Sequence, residues 1–312
     1  MTILDIERQS SRSNISEALY VLRRWPVIPI FTIAVLIIGA VFAPLVSPND
    51  PEKQDLRART SAPIWFPDCL EGENGYTSTC VVVKSENTYP LGADPLGRGL
   101  LTRIIFGARV SLTLAAVSII AGTLVGTTLG LTAGYFGGLV DEVIMRLTDV
   151  ATAIPYLLLA LIIVIVFGQK FIVIIGVLAL ASWPGIVRLV RGQTLQLKTL
   201  DYVSLARVAG ASTPRIMINH ILPGVTNTLV VATTLQVGSI ILAEAILSFL
   251  GAGVPPPTPS WGSMVSDGRN YLGSAWWVAF FPGMAIFLTV LAFNFIGDWL
   301  RDRWDPKLRQ IS

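Results

Sequence analysis

A series of long apolar runs constrains this chain more than any other feature of its sequence. The first covers 27–46, entered through Arg23, Arg24 and Trp25 and left at Ser47-Pro48-Asn49-Asp50. Others cover about 110–133, 150–168, 171–191, 225–250 and 276–298, with Gly168-Gln169-Lys170 as a tight turn between the third and fourth. A bilayer core about 30 Å thick is crossed by ~20 apolar residues in a helix, so each run predicts a span. The expectation is an all-α integral membrane protein with six transmembrane helices. Composition agrees, since 53% of the 312 residues are hydrophobic and 14% are charged, where soluble domains carry about 25% charged residues. The same numbers exclude a disordered chain, and two cysteines exclude a disulfide-dense scaffold. A scattered net charge of +3 speaks against nucleic acid as a partner and leaves membrane lipid as the solvent.

Six helices place both termini on one side. With the N-terminal tail in the cytoplasm, that side holds 14 of the 23 lysines and arginines. Three of the rest (Lys53, Arg57 and Arg59) lie among Asp50, Glu52 and Asp55. The positive-inside rule therefore predicts N-in and C-in, in the cytoplasmic (inner) membrane. Residues 1–26 form a cytoplasmic tail, and 27–46 is a retained anchor helix rather than a signal peptide, because a long charged tail precedes it. Residues 47–99 are extracytoplasmic, 100–300 hold a five-helix core with a cytoplasmic loop at 193–223, and 301–312 return to the cytoplasm. Cys69 and Cys80 fall in the extracytoplasmic segment, where an oxidising compartment favours a disulfide; closing such a loop is worth about 3 kcal/mol. Trp276 and Trp277 at one end of the last span, with Trp299 and Trp304 at the other, fit interfacial aromatic belts. Gly122, Gly126, Gly130 and Gly134 recur every fourth residue and put small residues on one helix face, for close packing within the bundle or against another subunit.

Catalytic chemistry has little to work with. His220 is the only histidine, so neither a histidine metal cluster nor a Ser-His-Asp triad can be built, and its place beside Leu-Pro reads as structural. No Gly-Lys dipeptide occurs, so there is no Walker A phosphate cradle and no ATP hydrolysis by that route. No internal repeat and no charged relay through several spans marks an ATP-independent transporter. Glu244 is a carboxylate inside the fifth run; it either lines a pathway, pairs with another subunit, or is satisfied near the outer end by water or backbone. Gln236, Ser239 and Asn294 are further candidates for the same cavity, with interhelical hydrogen bonding as the alternative role.

The stretch Asp201 to Pro223 is the most informative. Asp201 is placed to cap a short helix that Gly210 ends in a left-handed conformation, and Thr213 to cap a second helix with Pro214 at its first position. Pro223 closes the loop before the fifth span. Ala206, Ala209, Gly210 and Ala211 leave a smooth surface flanked by Arg207 and Arg215. Physically this is either an ordinary helical loop or a knob suited to a groove on another protein.

The spacing resembles the EAA loop of ABC importer permeases. Ser204-Leu205-Ala206 stands where the family has Glu-Ala-Ala, Gly210 is its glycine, and Leu222-Pro223 its closing pair. Tyr89 through Arg98-Gly99, Gly107-Ala108-Arg109-Val110-Ser111-Leu112, Gly134 through Gly138, Asp141, Met145-Arg146, Asp149 and Ala153-Ile154-Pro155 are similar to the second permease subunit of dipeptide and oligopeptide importers. So are Trp183 through Gln193, Leu247 through Gly251, Pro256 through Gly262, Gly268-Arg269, Phe281-Pro282-Gly283 and Gly297 through Asp302. The resemblance covers 88–309 densely and 27–50 thinly; the insert around Cys69 and Cys80 lies outside it. It implies a type I ABC importer permease fold and a non-enzymatic transport subunit that binds no cofactor itself, with ATP and Mg on partner subunits. It implies a heterodimer with a sister permease, two ATPase subunits that receive the 201–216 helices, and an extracytoplasmic substrate-binding protein. Peptides are the expected cargo, with a nickel chelate, glutathione or an oligosaccharide as alternatives.

Overall fold

Every apolar run becomes helix in a computed structural model that describes residues 26–65 and 89–304, but the helices and the runs differ in extent. α1 (Val27–Val41) is followed after Phe42 by a single turn, α2 (Ala43–Val46). α3 (Leu100–Phe136) is 37 residues long, so it starts well before the apolar run that it contains. Then come α4 (Gly138–Ala153), α5 (Tyr156–Phe167), α6 (Phe171–Leu197), α7 (Asp201–Val208), α8 (Thr213–Ile216), α9 (Leu222–Phe249), α10 (Trp261–Gly268) and α11 (Trp277–Trp304). α3, α6, the unbroken stretch Thr213–Phe249 and α11 are each long and apolar enough to cross a membrane.

The third predicted span is different. Residues 138–167 form two helices that meet at 83° rather than one rod. Ile154 is extended (ψ 124°) because the ring of Pro155 excludes the helical conformation from the residue before it. The stretch 134–149, between the second and third apolar runs, is therefore helix apart from Gly137: the end of α3, then α4. Leu139, Val143, Leu147 and Val150 form an exposed apolar face of α4. On its other side Asp141 accepts two hydrogen bonds from the Arg191 guanidinium at 2.5 and 2.6 Å, and Asp149 pairs with Arg188 at 2.9 Å. Arg188 and Arg191, one turn apart on α6, thus strap α4 to α6.

The glycine stripe settles how the centre packs. A Cβ on Gly126 would lie 2.7 Å from the Ile186 Cβ, one on Gly130 2.7 Å from the Val190 Cβ, and one on Gly134 2.6 Å from the Thr194 Cβ. α3 and α6 thus touch backbone to side chain along about three turns inside this chain. That contact needs no second subunit, and in lipid it rests on van der Waals fit. Gly168, at φ +85°, makes the predicted tight turn between α5 and α6.

At the end of the bundle where α3 begins, the segments before it are pinned by charge. Asp94 accepts from the backbone N–H groups of Leu96 and Arg98 and bonds the Arg98 Nε at 2.6 Å, with Arg103 at 3.4 Å. All three are buried. Arg98 also reaches Asp267 on α10 at 4.0 Å, and burial pushes the Asp267 carboxyl up from its ordinary range against the pull of these arginines. Trp277 is buried in a cluster with Leu100, Met264, Ala275 and Val278, so it is core rather than belt. Trp276 stays partly exposed, its ring against Phe280 and Phe281.

Candidate functional site

The loop between α6 and α9 is built on a Schellman motif. Ala211 N–H bonds the Ala206 carbonyl at 3.0 Å and Gly210 N–H bonds Arg207 at 3.1 Å, with Gly210 at φ +80° as the sequence demands. The predicted caps fall one residue off: α7 is capped by Leu200 and begins at Asp201, and α8 is capped by Ser212, so Thr213 is its first residue and Pro214 its second. Neither cap uses a side chain; the first-turn Asp201 still favours the helix N-terminus through its charge. Val203, Ile216, Ile221 and Val225 anchor the loop in a cluster with Leu131, Ile186 and Val190 of α3 and α6. Lys198 Nζ donates to the Gly134 carbonyl at 2.7 Å, satisfying a free carbonyl at the end of α3. The loop is thus seated on the same helix pair that the glycine stripe holds together.

What it turns outward is apolar. Leu205 is 66% exposed and Val208 87%, three residues apart on one face of α7, with Ser204, Arg207, Ala209, Gly210, Pro214 and Arg215 exposed around them. Ala206 and Ala211 are half-buried. Val208 and the exposed Tyr202 were absent from the sequence-level candidates, although the i, i+3 spacing of Leu205 and Val208 signals such a pair. Tyr202 Oη donates to the His220 carbonyl at 3.2 Å, and the His220 Nδ1 lies 3.4 Å from the Arg215 carbonyl, so the histidine braces the loop.

Pro223 does not close the loop. Residues 213–249 run as one helix through a π turn at Met217–Ile221, where the Leu222 N–H bonds back to the Met217 carbonyl. A wider turn just ahead of the proline relieves the clash of its ring with the preceding carbonyls, so the helix continues where an α-turn would kink. Leu222 is half-buried and Pro223 exposed.

Inside the bundle the four polar candidates do not converge. Glu244 is 1% exposed; it accepts from Ser248 at 2.7 Å and from Ser111 of α3 at 3.1 Å. Ser248 is in turn bonded by Ser260, the cap of α10, at 3.2 Å. The carboxylate therefore joins α3, α9 and the start of α10, and its partners within the chain are serines. Gln236 donates to the Ser182 carbonyl of α6 at 2.9 Å, while Ser239 and Asn294 are exposed on the bundle surface. Glu244→Gln keeps one acceptor oxygen and replaces the other with an NH2 donor that the facing serine hydroxyl can accept by rotating, and is expected to leave thermal stability within about 1 kcal/mol, whereas Glu244→Ala strands two buried hydroxyls and costs about 1–3 kcal/mol. Unfolding of the purified chain in detergent measures both. Cys69 and Cys80 lie outside the described residues.

Residues 126–310, from the stripe through the loop to the last helix, match the binding-protein-dependent transport system inner membrane component family. The chain belongs to that family. It is 42% identical over 277 residues to the di/tripeptide transport system permease protein DppC of Pseudomonas aeruginosa, covering 89% of this chain and 86% of the relative. It is 47% identical over 219 residues to the glutathione transport system permease protein GsiD of Pectobacterium atrosepticum, covering 70% and 73%. A chain of the MetNI methionine ABC transporter in an inward-facing conformation has the same fold, with a TM-score of 0.53 at 21% identity over 68% of this chain and 98% of that one. The family member described here is thus a multi-pass inner-membrane permease of the ABC class.

Proposed function

We propose that this chain is the second permease subunit of an ATP-driven importer that carries di- or oligopeptides into the cytoplasm. The observation that carries the proposal is the loop: an exposed apolar pair, Leu205 and Val208, on a short helix whose root is packed into α3 and α6. An exposed apolar patch set on a rigid root marks a surface that a partner covers. In this reading the chain is oriented N-in and C-in, and the loop from Asp201 to Arg215 docks into a groove on one of two ATPase subunits. Those subunits bind ATP and Mg; this chain pairs with a sister permease, and a substrate-binding protein delivers cargo to the outer face formed by 47–61, 89–99 and 254–262. Closure of the ATPases moves the loop, and the loop moves Thr213–Phe249 as a rigid body.

A tagged chain, gently solubilised from its own host, is expected to bring down a second permease and ATPase subunits on mass spectrometry. Recovery of the chain alone, where a control importer stays intact, would remove the proposal. The likeness to a glutathione permease favours a second reading of the cargo, since glutathione is itself a small peptide. Labelled glutathione uptake that excess dipeptide does not abolish, where labelled dipeptide itself is not taken up, selects glutathione.

A further inference from the structure

We propose that the cleft between α1, α3, α9 and α11 binds a membrane phospholipid, with Arg109 holding the phosphodiester headgroup and the slot below it taking an acyl chain. The cleft has a volume of about 510 Å³, within the range of ~300–1,000 Å³ usual for ligand sites. Arg109 and Val41 line it at one end, Arg109 one residue before the apolar run 110–133 begins and Val41 the last residue of α1. The start of an apolar run is where hydropathy sets the headgroup level, so this end lies at that level on the side where α3 starts. From Arg109 the wall descends through Thr113 and Val117, two turns of α3 or about 12 Å, to Val237 and Phe293 from the middle of α9 and α11.

Three observations choose the occupant. Arg109 is exposed, no carboxylate lines the cleft, and among the described residues no ion pair takes its guanidinium. The hydroxyl of Thr113 is turned back onto the Arg109 carbonyl at 2.6 Å, so it offers no competing polar group to the slot. The remaining wall is aliphatic and aromatic. A cation at headgroup level above a dry slot complements an amphiphile with an anionic head and a long tail. A soluble anion gains nothing from the slot, and an apolar helix seated there would leave the arginine without a counter-charge in a membrane.

The test uses the full chain, solubilised with whatever subunits accompany it, stripped of lipid by detergent exchange and titrated with dioleoyl-phosphatidylglycerol under native mass spectrometry. The wild type is expected to hold a phospholipid that Arg109→Ala binds roughly tenfold or more weakly, the effect of losing a charge-assisted hydrogen bond. Arg109→Lys retains it, and Ala116→Phe, which narrows the slot without touching the charge, loses it. Equal retention by Arg109→Ala and Ala116→Phe would overturn the proposal. So would competition by glycerophosphoglycerol, which lacks tails, as strong as that by the intact lipid. Efficient crosslinking of Thr113→Cys to a companion subunit in native membranes would show a subunit seam instead, and would also overturn it. If Arg109→Ala fails to insert, the slot variant and the competition decide alone.

Discussion

Gly210→Trp is expected to reduce uptake to background while the chain reaches the membrane in normal amount. The backbone at this position has φ +80°, and a Cβ built there would meet no atom within 4 Å. Within the chain the substitution therefore costs only the left-handed conformation, about 1–2 kcal/mol, spread over a loop anchored by Val203, Ile216 and Ile221. Any larger loss must come from outside the chain, where the new side chain enters the space that a docked partner fills. Gly210→Asn, small and tolerant of the left-handed region, is expected to keep a substantial share of uptake. Uptake of labelled peptide, read beside an immunoblot of the membrane fraction, separates the cases. Normal uptake by Gly210→Trp would refute the docking role of the loop, and loss of the protein itself would place Gly210 in folding instead.

Gly126→Leu is expected to do the opposite and remove the protein from the membrane. Its Cβ would stand 2.7 Å from the Ile186 Cβ, 2.8 Å from its Cγ2 and 2.9 Å from the Trp183 carbonyl, and one of those neighbours is backbone. Overpacking a fitted core costs about 1–3 kcal/mol where side chains can yield. Here they cannot yield without separating α3 from α6, on which the loop and α4 are both mounted. Steady-state level and protease resistance of the chain measure the effect. Gly185→Leu, on the same α6 but with open space around its Cβ, is the matched control and is expected to change neither.

Much of this was legible in the sequence, for identifiable reasons. Long apolar runs, a glycine at every fourth position and Gly210 ahead of a second short helix each encode their structure locally, and family likeness reached the loop as a whole. What the sequence hid depends on distance or on competition. Ser111 and Glu244 are 133 positions apart, so the serine cage around the carboxylate exists only once α3 and α9 are packed. Arg188 and Arg191 look like lipid-facing anchors until α4 folds back and offers Asp149 and Asp141. Pro155 and Pro223 carry the same local signal, yet one bends the chain by 83° and the other sits in a continuous helix. The difference lies in the π turn ahead of Pro223, which no spacing rule announces.

That helix, Thr213–Phe249, begins in the exposed loop and ends past Glu244, whose serine partners reach the cap of α10. On the proposed docking of the loop, a push on the exposed tip is passed along this one helix toward the serine cage, and a load on the cage is felt at the tip. The one compliant place is the wide turn at Met217–Ile221, and it lies next to the loop rather than midway along the shaft. On that proposal one part gears the loop to the serine cage, and whatever stiffens or softens that turn is expected to set how faithfully one end reports to the other.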